Sequence, residues 1–282
     1  MQYTRIFCAA FATGAAIILL PNYALAEFQI QEASIEKGET EFEYRGAYHW
    51  GVPGITANNP NTNDLVQSHE FELEYNPTNW WLLELTLGTD QPLHEDFEAS
   101  DVEFETEFAL IKRKGDGTAV SFQVGYEKST NGEADVLGFG PIFEFASKKL
   151  LITLNPLFTD QVGPNRDTAG LGFEYAWRAE YDFAKHWGVG VEMFGEIEDF
   201  SHSGSFNQQN HSIGPTLFWN PGEKEEEEEG EGKDVKQGKE DNENEKVTGS
   251  SEMELTFNVG VQFGLTDATS DTALKFQGTI SF

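Results

Sequence analysis

The sequence predicts an all-β fold: a single antiparallel up-and-down β-barrel of about 12 strands that crosses a membrane. Three observations carry that expectation. Apolar residues recur at every second position along most of the chain, which is the period of a strand. The faces between them carry ladders of glutamate, where a soluble sandwich would carry mixed charge. Tight turns alternate with longer polar connections, the layout of a barrel with short loops on one side of a membrane and long ones on the other.

The chain opens with "MQYTRIFCAAFATGAAIILLPNYALA": a short start carrying Arg5, an apolar stretch from Ile6 to Leu20, and a closing Ala24-Leu25-Ala26. This three-part layout is that of a secretory signal peptide over residues 1–26, with cleavage expected after Ala26. As a membrane anchor the run is short against the roughly 20 residues a helical span requires. Cys8 is the sole cysteine, so residues 27–282 carry no thiol, disulfide or thiolate metal site. The formal net charge of −31, from 49 acidic and 18 basic residues, argues against nucleic acid or an anionic bilayer surface as a partner.

Each segment then declares two faces. "ETEFEYRGAYHWG" sets Phe42, Tyr44, Tyr48 and Trp50 against Glu41, Glu43, Arg45 and His49. "SHEFELEYN" sets Phe71, Leu73 and Tyr75 against Glu70, Glu72 and Glu74. "WWLLELTLG" aligns Trp81, Leu83, Leu85 and Leu87; "DVEFETEFALI" sets Val102, Phe104, Phe108 and Leu110 against Glu103, Glu105 and Glu107. "TAVSFQVGYE", "VLGFGPIFEF" and "LLITLNPLF" continue the pattern, and "AGLGFEYAWRAEYDF" sets Phe173, Tyr175, Trp177 and Tyr181 against Glu174, Arg178 and Glu180. "WGVGVEMFGEIE" carries Glu192 and Glu196, "NHSIGPTLFWN" follows, "EMELTFNVGVQFGL" carries Glu252 and Glu254, and "ALKFQGTISF" closes the set.

Turns after even-numbered strands are short: "PTN", "KRKGDG", "ASKK" and "AKH". One connection departs from this. Between the tenth and eleventh strands, residues 223–250 form an acidic low-complexity insert, too polar to repay the entropy of ordering and expected to be disordered on the short-turn side.

No Asp, Glu, Lys or Arg stands at the centre of an apolar face. Trp50, Tyr75, Trp81, Tyr126, Tyr181, Trp187 and Trp219 lie near strand ends, where amphipathic rings suit the headgroup level. In a closed barrel every backbone N–H and C=O is satisfied within the wall, which a membrane demands.

The terminal "FQGTISF" resembles the last strand of Gram-negative outer-membrane proteins. That resemblance implies a cell outer membrane location, lipid contact, and an assembly signal at Phe276, Ile280 and Phe282 read by the barrel assembly machinery. More narrowly, "NVGVQFGLTDATSDTALKFQGTISF" resembles the closing hairpin of a transporter-like family labelled MetA-pathway phenol-degradation proteins. It implies passage of small organic compounds; the acidic insert departs from that pattern.

Around 12 strands leave an interior between the filled core of about 8 and the aqueous channel of 16 to 18. The glutamates at 41, 43, 70, 72, 74, 103, 105, 107, 174, 180, 192, 252 and 254 are expected to line it, favouring cations. Alternatively they only hydrate the interior and pair with Arg45, Arg178 and Lys275. The expected function is thus a channel for small solutes; the alternative is a structural or adhesive barrel without transport.

Enzymatic activity is not expected. A lipid hydrolase would need a Ser–His pair, and His202-Ser203 and His211-Ser212 are adjacent residues, which on a strand point to opposite faces. The histidines show no metal spacing (His49 and His69 differ in parity), and no cofactor fingerprint occurs.

Overall fold

A computed structural model of the chain describes residues 28–52, 66–91, 96–166, 168, 170–221 and 253–282. The leader at 1–26, the acidic insert at 223–250 and Glu252 lie outside the described residues. Strands form wherever the alternation is clean: β1 (Thr40–Trp50), β2 (Val66–Thr78), β3 (Trp81–Gln91), β4 (Glu98–Ile111), β5 (Gly117–Ser129) and β6 (Asp135–Ser147). They continue as β7 (Leu150–Val162), β8 (Gly172–Ala184), β9 (Trp187–Ile197), β10 (Asn210–Trp219), β11 (Glu254–Gly264) and β12 (Thr272–Ser281).

Every strand pairs antiparallel with its chain neighbours, and β1 pairs with β12, so the sheet closes on itself. The seam runs in unbroken register from Glu41 opposite Ser281 to Trp50 opposite Thr272. It is finished by reciprocal bonds between Thr40 and Phe282, N–H to carbonyl in both directions at 3.0 Å. A closed wall has no free edge to aggregate or to sit unsatisfied in lipid.

The faces are inverted relative to a soluble protein. Leu73 and Phe104, pointing outward, are 51 % and 52 % exposed, whereas Glu72 and Glu84, pointing inward, are 3 % and 2 % exposed. Burying carboxylates while exposing large apolar side chains is untenable in water but is the arrangement of a wall with lipid outside.

The outward face has its own packing. A Cβ added at Gly46 would lie 2.5 Å from Cζ of Phe276 and 2.8 Å from Nδ1 of His69, so those rings close over the bare backbone. The Tyr44 hydroxyl lies 2.8 Å from that same His69 nitrogen. A matching arrangement covers Gly195, with Tyr175 and His211 on either side and 2.9 Å between the hydroxyl and Nδ1.

Residues 28–39 do not join the sheet. They run through the inside of the barrel as a strap and turn into β1 at Gly38, which takes a left-handed backbone, φ 89°, that glycine adopts without steric cost. The interior's two small apolar clusters form around this strap. Phe28 packs with Ala47, Phe194 and Ala273 toward the long-loop end, and Ala33 packs with Ala119 and Ile142 toward the short-turn end.

Candidate functional site: an acidic interior and the strap within it

The period-two pleat sends every second residue of each strand inward. β2, β3 and β4 therefore present Glu72, Glu84 and Glu105 as neighbours: Glu74 stands opposite Glu84, and Glu84 opposite Glu105. Carboxylate oxygens of Glu72, Glu74 and Glu84 lie within 4.8 Å of one another.

The mixed wall formed by β1, β12 and β8 supplies the counter-charges. Nη1 of Arg45 lies 2.7 Å from Glu43 and 2.5 Å from Glu72, and its Nε donates to Glu70 at 2.7 Å. Lys275 meets Glu192 at 2.5 Å, and Thr216 donates to the same carboxylate at 2.6 Å. Arg178 pairs with Glu32 of the strap and lies 3.7 Å from Glu180.

The remaining acids named from the sequence are placed as follows. Glu41 accepts from Ser281 at 2.5 Å, and Glu43 also accepts from Gln277 and Thr279. Glu107 is buried, Glu103 is half-buried, and half-buried Glu174 stands opposite Glu196. Glu254 is half-buried opposite Ser281. Phe276 and Ile280 are half-buried on the outward face, and Phe282 is exposed.

What sequence reasoning missed is the strap, together with Glu84 and Glu144 of the wall. Gln29 donates from Nε2 to Glu72 and Glu84, both at 3.3 Å. Gln31 donates from Nε2 to Glu84 at 2.8 Å and Glu105 at 3.3 Å. The backbone of Gln31 is held twice by Asn155: its N–H donates to Oδ1 at 2.8 Å, and its carbonyl accepts from Nδ2 at 2.9 Å. Glu144 accepts the N–H of Ala33 at 3.2 Å and the hydroxyl of Ser34 at 3.3 Å, with Arg113 2.9 Å away. On the strap's other face, Phe28 stacks on His49 at 5.6 Å and meets Phe194 edge-on at 5.0 Å.

The acidic interior expected from the sequence thus also holds a peptide segment, the strap. The strap's neutral amides meet the acids of β2, β3 and β4. Neutral donors suit this position because each satisfies an acceptor without adding a second buried charge.

At the strap's root, Gly38 N–H donates to the Asn76 carbonyl at 2.8 Å, and Asn76 N–H to the Glu39 carbonyl at 3.0 Å. Burial, then the nearby charges of Glu41 and Glu36, push the Glu39 carboxyl up to about 7, against a weaker opposing bond from Asn76.

The two Ser–His pairs are placed by their elements. His202 ends a short 3-10 turn (Phe200–His202), where its Nδ1 engages Ser201 at 2.9 Å and Asp199 at 3.1 Å rather than Ser203. Those contacts, the Ser201 bond first, hold the half-buried Asp199 carboxyl down to about 2. His211 is bonded to Tyr175 and Gln209, while the buried Ser212 hydroxyl makes no hydrogen bond within the described residues. His49 and His69 sit on opposite faces of the wall, His49 against Phe28 and His69 against Tyr44.

No family model matches the sequence, and no curated protein matches it. Solved structures do share the fold. The chain superposes on the outer membrane channel from Pseudomonas putida F1 with a TM-score of 0.54 at 9 % identity, covering 91 % of this chain and 100 % of that one. It is also similar to the NanC porin, with a TM-score of 0.49 at 10 % identity, and to the KdgM porin, at 0.47 and 8 %; both cover 86 % of this chain and 98 % of the other. At these identities the likeness is one of fold: a closed 12-stranded antiparallel barrel.

Proposed function

We propose that the chain is an outer-membrane channel for small solutes whose interior prefers cations, exported through a leader at residues 1–26. The observation that carries this is the acidic wall, where Glu72, Glu84 and Glu105 are buried side by side on adjacent strands and met by uncharged amides. Rings of carboxylates lower the energy of a permeating cation and raise that of an anion. The outward apolar belt supports a lipid setting, and the Pseudomonas putida protein of the same fold is an outer membrane channel. The resemblance of the closing hairpin to the phenol-degradation family adds small organic compounds as a solute class. In the same reading Phe276, Ile280 and Phe282 form the signal recognised by the assembly machinery, and the acids from Glu41 to Glu254 named above line the path.

The strap favours a second reading, a structural barrel without transport, because it occupies the path. Planar-bilayer recording of the refolded chain under a salt gradient decides between them. A reversal potential showing cation preference supports the channel; anion preference refutes the selectivity, and absence of conductance leaves the structural barrel.

A further inference from the structure

The strap is a stretch of peptide bound by a protein wall, and its contacts state what that wall is built to hold. Its neighbours alternate along the chain. Gln29 and Gln31 turn to Glu72, Glu84 and Glu105, while Phe28 packs among Ala47, Phe194 and Ala273, with Ile30 against that cluster. Glu32 reaches Arg178 on β8. Alternation of this kind is how an extended peptide presents its side chains, and a receptor reads such a chain through its main-chain bonds and alternate pockets together.

The main-chain bonds are the discriminating part. One carboxamide, that of Asn155, answers both the N–H and the carbonyl of Gln31, at 2.8 and 2.9 Å. Two residues on, Glu144 accepts the N–H of Ala33. A sugar without an amide substituent lacks the paired N–H and carbonyl that Asn155 engages. A simple metal or ammonium ion has no acceptor for Asn155 Nδ2. The side-chain contacts narrow the class further: donors at alternate positions suit the acidic wall, and an amide or ammonium group fills that requirement.

We infer that the interior recognises short extended peptides carrying carboxamide or ammonium side chains at alternate positions, with the strap as a tethered occupant of the same track. The inference rests on the channel reading for its consequence, passage of such peptides, but the recognition itself is a property of the wall. The tether keeps the strap at a high effective concentration, so a free peptide competes only once the strap is weakened.

The test uses the chain with Gln29→Glu and Gln31→Glu, which set carboxylates against Glu72, Glu84 and Glu105 and drive the strap off its track. A capped synthetic peptide of sequence Phe-Gln-Ile-Gln-Glu-Ala-Ser is added to this protein in planar bilayers, with maltotriose as the non-peptide probe. The expected result is block of the current by the peptide but not by maltotriose, at least tenfold weaker when Asn155→Ala or Asn155→Asp is added. Equal block by both probes, no block by either, or block indifferent to both Asn155 variants overturns the inference and leaves a conducting channel standing. If no variant conducts, the channel reading falls instead. Fluorescence anisotropy of a labelled copy of the peptide on the same refolded proteins then decides: binding weakened by the Asn155 variants sustains recognition, and binding that is absent or indifferent to them ends it.

Discussion

Lys275 and Glu192 meet at 2.5 Å across the barrel interior, with side chains only 3 % and 1 % exposed. They lie on strands separated by two others, so the pair ties β12 to β9 independently of the backbone ladder. Removing one partner leaves an uncompensated buried charge. Lys275→Met is expected to cost about 3–5 kcal/mol. Adding Glu192→Leu should recover most of that loss, as read by denaturant unfolding midpoints of the barrel in lipid vesicles.

Arg45 is the most heavily engaged cation of the acidic side, touching Glu43, Glu70 and Glu72. Arg45→Gln removes one positive charge from the interior and frees three carboxylates to interact with a permeating ion. The expected outcome is a reversal potential shifted toward stronger cation preference. The opposite substitution, Glu84→Gln, is expected to shift it the other way under the same salt gradient.

The covering of Gly46 by Phe276 and His69 makes that position sensitive to a single methyl group. Gly46→Ala requires the Phe276 ring to move and is expected to cost about 1–3 kcal/mol, the range for overpacking. Gly138→Ala is the control, because a Cβ there meets nothing nearer than Leu157 Cδ2 at 3.5 Å. Its cost should be smaller than that of Gly46→Ala, because no neighbour has to move. Unfolding midpoints of the two variants measured side by side make the comparison.

Glu39 gives the fold a pH dependence at the strap's root. Its carboxyl rises from an ordinary 4.5 to about 7 on folding, so the folded chain holds this proton more tightly than the unfolded one. Stability from this group is therefore greatest at low pH and falls as pH rises from about 4.5 through about 7. The groups opposing its ionisation are Glu41, Glu36 and Glu254, and the Asn76 amide favours it. Glu39→Gln should shrink the difference between unfolding midpoints at pH 5 and pH 8 without reversing it.

How much of this was legible in the sequence depends on the range of the interaction. Strand identity and sidedness are local, since Phe71, Leu73 and Tyr75 against Glu70, Glu72 and Glu74 announce both faces within six residues. Strand number and closure followed from the same alternation and from the amphipathic terminal segment. Glu84 was missed because it stands in "WWLLELTLG", where inward Leu82 makes both faces look apolar. Glu144 was hidden in the same way among the aromatics of "PIFEF".

The strap could not be read from its own neighbourhood. The hydrogen-bond partners of residues 29–34 lie 43 to 146 residues away, and little in "FQIQEAS" distinguishes a lumen segment from a linker. The one usable signal was the pair Gln29 and Gln31, two amide donors with strand spacing beside a chain overloaded with acceptors.

The turn at Gly38 also decides where force goes. Whatever draws residues 28–36 toward the short-turn end pulls on a chain anchored first to β2, through the Gly38–Asn76 and Asn76–Glu39 bonds. The Thr40–Phe282 bonds that complete the seam lie beyond that anchor. Load on the strap thus falls first on the short-turn end of β2, where Asn76 lies at the register shift between Tyr75 and Thr78, before it reaches the weld between the first and last strands.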